Sequence, residues 1–331
     1  MNSGLDADLI PFVLDYTDAE RIDSVETIQD LWSGYGKIMR LRFGQSNPAS
    51  LIAKHIRPPK QSDHPRGWNS PFAHERKRKS YEVEMEWYLN WSRECDPLCR
   101  LPRFLSLRRL EDSVLLLLED LDEAGYPIRH SKLSTDAISP CLRWLARFHG
   151  YYMGRAPNDL WETGTYWHLE TRPEEWKEIS DPALKNAAKS IDLELYNARY
   201  QTIVHGDAKL ANFCFSPNGE KVAMVDFQYV GGGCGMKDVA YFLGSSLSEE
   251  ECEAQETRLL EIYFNELRNS IRLHHPNFDP EAIVREWTDL YPTAWTDFHR
   301  FLMGWCPDHW KVNAYSQRLA RQVLDRLQTC P

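Results

Sequence analysis

Residues 204–228 read VHGDAKLANFCFSPNGEKVAMVDFQ, and this stretch decides how the rest of the chain is interpreted. The apolar, β-branched run that leads into it (YQTIV, 200–204) predicts a strand that ends at His205-Gly206-Asp207. Two further strand-like runs, FCFS and KVAMVDF, are joined by Pro217-Asn218-Gly219. The pattern therefore predicts a strand, a loop that carries polar side chains, and a β-hairpin.

The turn sequence predicts the register of this hairpin. A three-residue loop takes Pro at the first turn position and Gly in the left-handed position, and PNG supplies both. Asn212 then lies opposite Met224, and Asp226 follows on the same face. A two-residue Asn-Gly turn would place Asn212 and Asp226 on opposite faces, but it would leave Pro217 within a strand. The first register is favoured.

The polar side chains of this stretch are suited to phosphoryl transfer. Asn212 and Asp226 would supply hard oxygen ligands at one strand end, as Mg²⁺ prefers. Asp207 is then free to accept a proton from a hydroxyl, and Lys209 would offset developing charge.

The pattern H-G-D-x-x-x-x-N (205–212) followed by D-F-Q (226–228) resembles the aminoglycoside phosphotransferase and choline kinase group. These are small-molecule kinases with the protein-kinase fold. The D-F-Q with DVAYFL after it (238–243) is most similar to the ecdysteroid kinase-like branch.

This resemblance implies a role for each matching residue. Asp207 would be the catalytic base, Asn212 and Asp226 the Mg²⁺ ligands, and Asp238 the buried aspartate that braces the catalytic loop. Lys209 departs from most of the group and is more similar to the D-x-K-x-x-N of protein kinases.

Two histidines are interpreted as structural. His205 is expected to bond the backbone near the catalytic loop, with a chemical role as the alternative. His149 closes L-A-R-F-H (145–149), which resembles the helix that leads the second lobe in this group, and it is expected to be a packed helix residue rather than a ligand.

The N-terminal third carries further strand signals. WSGYGKIMRLRF (32–43) predicts a strand from Ile38 onward, whereas residues 18–31 are expected to be helical or irregular. By resemblance, Ser33, Gly34 and Gly36 would lie in a loop over the nucleotide phosphates. An ordinary turn is the alternative.

SLIAKHI (50–56) predicts a strand with Lys54 between two apolar residues on one face. Such a lysine either reaches solvent or meets a buried anionic partner. In the resembled family, the lysine at this position grips the α- and β-phosphates.

A loop over residues 58–71 and a helix from 74 to about 91 follow. The basic run HERKRK (74–79) opens this helix and is expected to be a solvated face. One stripe of this helix holds Glu84 together with Tyr81, Met85 and Tyr88, which makes Glu84 the expected partner of Lys54. In a rival stripe of Val83, Trp87 and Trp91, Glu84 would face outward.

Residues 104–107 and 113–118 predict two more strands, the second apolar throughout and therefore central. It ends in Glu119-Asp120-Leu121, similar to the family's E-D-L hinge, where backbone groups at Glu119 and Leu121 would meet the adenine. We expect an α+β, two-lobed protein-kinase-like fold, with an antiparallel five-stranded N-lobe over residues 1–120 and a mainly helical C-lobe over 121–331.

The acceptor is assigned to a C-terminal aromatic stripe. Trp287, Tyr291, Trp295 and His299 follow at helical spacing, and Pro292 is expected to end one helix or start the next. Similar kinases bind their acceptors with C-terminal helices, which favours a surface that faces Asp207. A plain core stripe is the alternative.

Composition narrows the class of protein. A length of 331 residues with 42% hydrophobic content allows two domains, and a net charge of −10 argues against a general nucleic-acid binder. Neither a membrane span nor a signal peptide is evident, so a cytoplasmic protein is expected. The eight scattered cysteines give no zinc pattern and are expected to be small buried hydrophobes.

The expected activity is Mg²⁺- and ATP-dependent phosphorylation of a hydroxyl on a small molecule, with GTP as the alternative nucleotide. The acceptor would be a sterol, amino alcohol, aminoglycoside or sugar-like compound. An inactive nucleotide-binding or scaffold protein on the same fold is the rival interpretation. Protein substrates are disfavoured, because the segment YVGGGCGM (229–236) has no Ser, Thr or Tyr after Tyr229.

Overall fold

The computed structural model describes residues 5–59, 71–135 and 137–329. Its N-terminal part is a short helix followed by a five-stranded antiparallel sheet. These elements are α1 (Ile10–Leu14), β1 (Ser24–Asp30), β2 (Gly36–Arg42), β3 (Ser50–Ile56), β4 (Phe104–Arg109) and β5 (Val114–Glu119). Their order in the sheet is β1-β2-β3-β5-β4, which confirms the predicted five strands.

The middle of the sheet is buried on both faces. Leu115 and Leu117 of β5 pack with β2, β3 and α1 residues on one face. Leu116 and Leu118 join the core of the helical part on the other face. The two-sided burial expected of the continuous apolar run in β5 is therefore confirmed.

The expectation of a helical or irregular segment over residues 18–31 is wrong for its second half. Residues 24–30 form β1, an edge strand that pairs with β2 from Ser24 opposite Arg42 to Asp30 opposite Lys37. Most of its side chains are exposed. An edge strand of this kind has no buried face to impose alternation on its sequence, so the periodicity could not reveal it.

The helix α2 (Pro71–Glu86), with the π-helical turn Trp87–Trp91 after it, lies between the sheet and the helical part. Tyr81 packs with sheet residues, whereas Trp87 stacks on Phe227 with ring centroids 4.6 Å apart. Both stripes predicted for this helix are therefore buried, and Glu84 is 1% exposed. Of the predicted loop over 58–71, residues 60–70 lie outside the described residues.

The remainder is mainly helical, which confirms the α+β class. A short pairing of β6 with β9 and the hairpin β7–β8 interrupt the helices. The elements are α3 (Ser139–Tyr151), α4 (Pro173–Glu178), α5 (Pro182–Tyr196), β6 (Thr202–Val204), β7 (Phe213–Phe215), β8 (Val222–Met224), β9 (Gly231–Gly233), α6 (Met236–Ser246), α7 (Glu249–His274), α8 (Pro280–Trp305) and α9 (Ala314–Thr329). A domain boundary at residues 120 and 121 stays a prediction.

The hairpin β7–β8 has a register that differs by one residue from the prediction. Phe213, not Asn212, lies opposite Met224. The Ser216 backbone N–H donates to the Lys221 carbonyl at 2.9 Å, so the loop holds four residues, 217–220, rather than three. Gly219 has the expected left-handed backbone, with φ +72°. The Ser216 hydroxyl also forms hydrogen bonds with the Lys221 backbone and the Asn218 side chain, and these bonds stabilise the longer loop.

The C-terminal aromatic stripe lies in the core of the helical part. Pro292 lies inside α8 and neither ends nor starts a helix. Trp287, Tyr291, Trp295 and His299 are all buried in the helical part. Trp287 donates from Nε1 to the Tyr200 carbonyl at 3.0 Å, and Trp295 packs edge-on against Tyr315. These contacts are those of core residues.

The described cysteines are mostly buried and none is in a disulfide. Cys99, Cys141, Cys214, Cys234 and Cys252 are buried, whereas Cys95 and Cys306 are partly exposed. This agrees with their interpretation as small hydrophobes. Among the residues that the structure describes, no helix combines the length and apolarity needed to cross a membrane.

Replacement of Trp295 by alanine should measure the cost of opening this core. Because Trp295 is 4% exposed, we expect Trp295→Ala to lower the free energy of unfolding by about 3–5 kcal/mol in urea denaturation. Trp310, which is 57% exposed, provides the control, and Trp310→Ala should change stability little. Equal effects of the two substitutions would contradict the core assignment.

Candidate active site

The loop after β6 is held by one buried carboxylate. Asp238, in the first turn of α6, accepts the backbone N–H of His205 at 2.6 Å and that of Gly206 at 2.9 Å. His149 Nε2 lies 3.1 Å from the same carboxylate, and its Nδ1 lies 2.7 Å from the Tyr263 hydroxyl. The contacts expected of a bracing Asp238 and of a packed His149 are both present.

His205 has the backbone contacts of a structural histidine. Its Nε2 lies 3.1 Å from the Val225 carbonyl, and its Nδ1 lies 3.2 Å from the backbone nitrogen of Asp207. Burial lowers the pKa of His205, so the ring is neutral at neutral pH. A neutral ring that donates from Nε2 and accepts at Nδ1 satisfies both contacts.

Three donors orient the side chain of Asp207. Lys209 Nζ lies 2.7 Å from Oδ2, and Asn212 Nδ2 lies 3.2 Å from the same oxygen. The Tyr241 hydroxyl donates to Oδ1 at 3.1 Å. The carboxylate is only 6% exposed, and it lines the large cavity described below. Asp207 is thus fixed in orientation while one edge faces a space that could hold an acceptor.

Asn212 and Asp226 line the same cavity although the hairpin register is shifted. Asn212 donates from Nδ2 to the Asp207 carbonyl at 2.8 Å, which leaves its amide oxygen for another partner. Asp226 follows β8 with φ 70°, a left-handed conformation that is uncommon for a residue other than glycine. Its side-chain direction is therefore not set by strand alternation. Strained backbone of this kind is concentrated at functional sites.

The oxygen atoms of Asn212 and Asp226 fit a magnesium ion. Burial alone would raise the pKa of Asp226, but nearby cations, Lys54 foremost, lower it to about 2. The carboxylate is therefore ionised at neutral pH. Among the described residues, no three His, Cys, Asp or Glu side chains cluster as a metal cage. Mg²⁺ needs no such cage, because it retains waters and uses substrate phosphates as further ligands.

A buried ion pair joins β3 to α2. Lys54 Nζ lies 2.8 and 2.7 Å from the two carboxylate oxygens of Glu84, and 3.4 Å from Asp226 Oδ1. Burial alone would lower the pKa of Lys54, but Glu84 and Asp226 raise it above its usual value. Lys54 thus meets the buried anionic partner that was expected and stays charged.

The segment after β5 lines the cavity with Glu119, Asp120 and Leu121. The Glu119 side chain is bound by Arg100 Nη2 at 2.7 Å and by the Arg103 backbone at 3.0 Å. Asp120 accepts from Arg40 Nε at 2.6 Å. These ion pairs fix the segment at the edge where a hinge contact with a nucleotide base was predicted.

The glycine-containing segment joins β1 to β2 beside the cavity. Trp32–Gly34 forms one turn of 3-10 helix. The residues of this segment that line the cavity are Leu31, Trp32 and Tyr35. A phosphate contact at Ser33, Gly34 and Gly36 stays a prediction, with an ordinary turn as the alternative.

A cavity of about 970 Å³ lies between the sheet and the helical part, and Lys54, Glu84, Asp207, Asn212 and Asp226 all line it. It is near the upper end of the usual range for ligand sites. Beyond Asp207, its wall is aromatic and basic, and none of this wall was predicted. The residues are Arg76, Tyr166, Arg172, Tyr229, Tyr241, Phe301 and Trp305.

Two signals for this wall were available in the sequence. Tyr241 follows Asp238 by three residues, so the two share a face of α6. Phe301 and Trp305 follow Phe298 at i+3 and i+7 on α8, and they reach the cavity from the C-terminal end of the helix. The predicted stripe therefore lies on the same helix as these two cavity residues, but nearer the middle of the helix.

The fold is shared with small-molecule kinases of known structure. The chain is similar to the microcompartment-associated aminopropanol kinase, with 16% identity, a TM-score of 0.55, and coverage of 97% of this chain and 98% of that one. It is also similar to choline kinase from Cryptosporidium parvum Iowa II, with 10% identity, a TM-score of 0.51, and coverage of 92% and 89%. At these identities the likeness shows the fold alone, and it confirms the two-lobed protein-kinase-like architecture.

The sequence itself matches a family model. Residues 153–275 match the ecdysteroid kinase-like family, which confirms the resemblance carried by the catalytic-loop motif. The match spans Asp207, Asn212, Asp226 and Asp238. Among curated proteins the chain has no match.

The geometry of the catalytic loop can be tested at Gly206. Its φ is +78°, and a Cβ atom there would lie 2.1 Å from the Tyr229 carbonyl oxygen. Gly219 has a similar φ of +72° but open space around it. We therefore expect Gly206→Ala to cost at least about 2 kcal/mol more stability than Gly219→Ala, measured by urea unfolding. Equal costs would show that the close approach at Gly206 does not constrain the loop.

Proposed function

We propose that the chain is a phosphotransferase that uses ATP and Mg²⁺ to phosphorylate a hydroxyl group of a small molecule. The observation that carries this proposal is the meeting of Lys54, Glu84, Asp207, Asn212 and Asp226 in one cavity. Phosphoryl transfer needs a cation on the phosphates, ligands for a metal and an acceptor for the hydroxyl proton. The names of the two similar structures, aminopropanol kinase and choline kinase, support the same class of reaction.

In this reaction the hydroxyl oxygen of the acceptor forms a bond to the γ-phosphorus of ATP, and the bond from that phosphorus to the β–γ bridging oxygen breaks. The hydroxyl proton passes to Asp207. Lys54, held by Glu84, binds nucleotide phosphates, and Lys209 offsets the negative charge that develops near Asp207. Mg²⁺, held by Asn212 and Asp226, would neutralise charge on the phosphates when bound. The products are a phosphate monoester and ADP.

Two other functions are less well supported. An inactive binding or scaffold protein would not need Asp207 and Lys209 beside the paired Lys54 and Glu84, and all four residues are present in the cavity. Phosphorylation of protein substrates is less well supported, because the segment YVGGGCGM (229–236) has no Ser, Thr or Tyr after Tyr229 and so lacks a recognisable activation segment.

The proposal is tested by a screen for acceptor-dependent ADP release. Sterols, amino alcohols, aminoglycosides and sugars are incubated with ATP and Mg²⁺, and the phosphorylated product is identified by mass spectrometry. Binding of ATP without turnover of any acceptor would favour the scaffold interpretation.

Asp207 should be necessary for turnover. We expect Asp207→Asn to lower kcat by about 10²–10⁴-fold while leaving ATP binding nearly unchanged, because the amide cannot take the hydroxyl proton. Asp289→Asn, at an exposed position, is the matched control and should retain full activity. Steady-state kinetics measure both variants, and rates like those of the wild type in Asp207→Asn would remove this residue from the mechanism.

Asp226 should couple metal to nucleotide. Calorimetric titration of Asp226→Ala with ATP is expected to show the same affinity with and without Mg²⁺, because the variant lacks the carboxylate ligand. Asp122→Ala removes another cavity carboxylate, one that pairs with Arg40 and Arg129, and it should keep the Mg²⁺ effect. A Mg²⁺ effect that persists in Asp226→Ala would exclude Asp226 as a ligand.

A further inference from the structure

The acidic and the basic side chains that line the cavity differ in how completely they are paired. Among the described residues, every lining carboxylate has a basic partner within ion-pair distance. Asp226 and Glu84 pair with Lys54, and Asp207 pairs with Lys209. The remaining three lie at the hinge and are bound by arginines: Glu119, Asp120 and Asp122.

Of the described lysines and arginines that line the cavity, Arg76 and Lys77 form no ion pair. Arg76 lines the cavity from α2 and donates from Nη1 to the Thr171 carbonyl at 2.6 Å. No carboxylate of the described chain forms an ion pair with it. Burial, and then the neighbouring Arg172, lower the pKa of Arg76 to about 10, and the guanidinium remains charged at neutral pH. The nearby charges of Glu175 and Glu174 offset this lowering only in part. A half-buried guanidinium without an ion pair is costly, and an anionic ligand would reduce that cost.

Arg76 is directed away from the phosphate-binding end. The next residue, Lys77, donates to Gln228 Oε1 at 2.8 Å, and its charge lowers the pKa of Asp226. Consecutive helix residues do not face the same way. Arg76 therefore contacts the Thr171 and Arg172 side of the cavity, whereas Lys77 contacts the metal side.

An aromatic wall connects Asp207 to this arginine pair. Tyr241, which donates to Asp207, packs edge-on against Tyr166 with ring centroids 5.5 Å apart. Tyr166 packs against Phe301 at 5.5 Å, and the Arg172 guanidinium lies 5.4 Å from the Phe301 centroid. Phe301 also stacks on Trp305 at 5.8 Å. The wall offers flat apolar surface that ends in positive charge.

We propose that the acceptor is an alcohol with an aromatic or alicyclic body and a carboxylate, and that Arg76 binds this carboxylate. The inference rests on the proposed function and narrows its acceptor class. The hydroxyl would lie at Asp207, the body against Tyr166 and Phe301, and the carboxylate at Arg76, where a planar, charge-assisted pair is the favoured geometry. An amino alcohol or aminoglycoside would find no unpaired carboxylate on this wall.

Acceptors that differ only in the charge of one group test the preference for a carboxylate without any mutation. The probes are 4-(hydroxymethyl)benzoate, 4-(hydroxymethyl)benzamide and 4-(hydroxymethyl)benzylamine, with a second set made of cholate, its amide and its C24 amine. ADP release gives kcat/KM, and calorimetry with Mg²⁺ and a non-hydrolysable ATP analogue gives binding. We expect the carboxylate to exceed the amide by at least about 10-fold in at least one set, and the amine to be the poorest. A preferred amide or amine, or no binding of either carboxylate, would overturn the proposal.

Variants on one helix then assign the preference to Arg76. Arg76→Gln should raise KM for the preferred carboxylate about 10- to 100-fold, with KM for ATP and for the amide within about twofold. Arg78→Gln removes the same charge from an exposed position that pairs only loosely with Glu82, at 3.7 Å, and should change neither constant. Thermal unfolding checks that both variants fold. An unchanged carboxylate KM, or an equal rise in the KM for ATP, would show that Arg76 does not bind the acceptor.

The outcomes separate this inference from the proposed function. If only the neutral or cationic probes were turned over, the kinase proposal would stand, but the inference that the acceptor carries a carboxylate would be rejected. Failure of ATP to bind at all would remove both.

Discussion

The contact of Lys54 with Glu84 and Asp226 is the interaction on which the arrangement of the cavity depends. Lys54 comes from β3, Glu84 from α2 and Asp226 from the end of β8, so one ammonium group joins three separate parts of the chain. Buried ion pairs contribute little net stability, but removal of one partner from such a pair costs about 3–5 kcal/mol. The contact therefore specifies position more than it adds stability. The contact depends on the packing of α2 between the sheet and the helical part.

A second buried carboxylate positions the catalytic loop. Asp238 receives two backbone N–H groups from the loop and faces His149 in the core, so helices α3 and α6 determine where Asp207 lies. The loop itself has little regular structure to fix it. Both halves of the cavity are thus organised by charges that are fully satisfied inside the protein, which is the condition under which buried polar groups specify one structure.

The sequence predicted those parts of the fold in which chemistry and periodicity agree. Lys54 and Glu84 could be paired because a charged residue on an apolar stripe needs a buried partner, and the apolar run in β5 marked a central strand. The register of the β7–β8 hairpin was wrong by one residue because side-chain contacts of Ser216 extend the turn, and such contacts have no periodic signal. The edge strand β1 was missed because pairing with β2, rather than burial, creates it.

The aromatic and basic wall of the cavity was missed for a different reason. Arg76 and Arg172 are nearly a hundred residues apart in the chain, and only the packing of α2 against the helical part brings them together. The basic run around Arg76 was taken as a solvated face, which holds for the exposed Arg78 but not for Arg76. Local sequence cannot separate two arginines whose burial depends on a distant element.

The reactivity of two buried cysteines can show which part of the protein opens. Burial raises the pKa of Cys214 to about 11 and that of Cys234 to about 12, so neither thiol is reactive in the closed protein. Cys214 lines the cavity, whereas Cys234 is in the core of the helical part. A thiol reagent can reach the first through local separation of the two parts, but it reaches the second only when the helical core opens. The labelling rates of Cys214 and Cys234 therefore distinguish local opening of the cavity from unfolding of the helical core, and no cysteine has to be introduced.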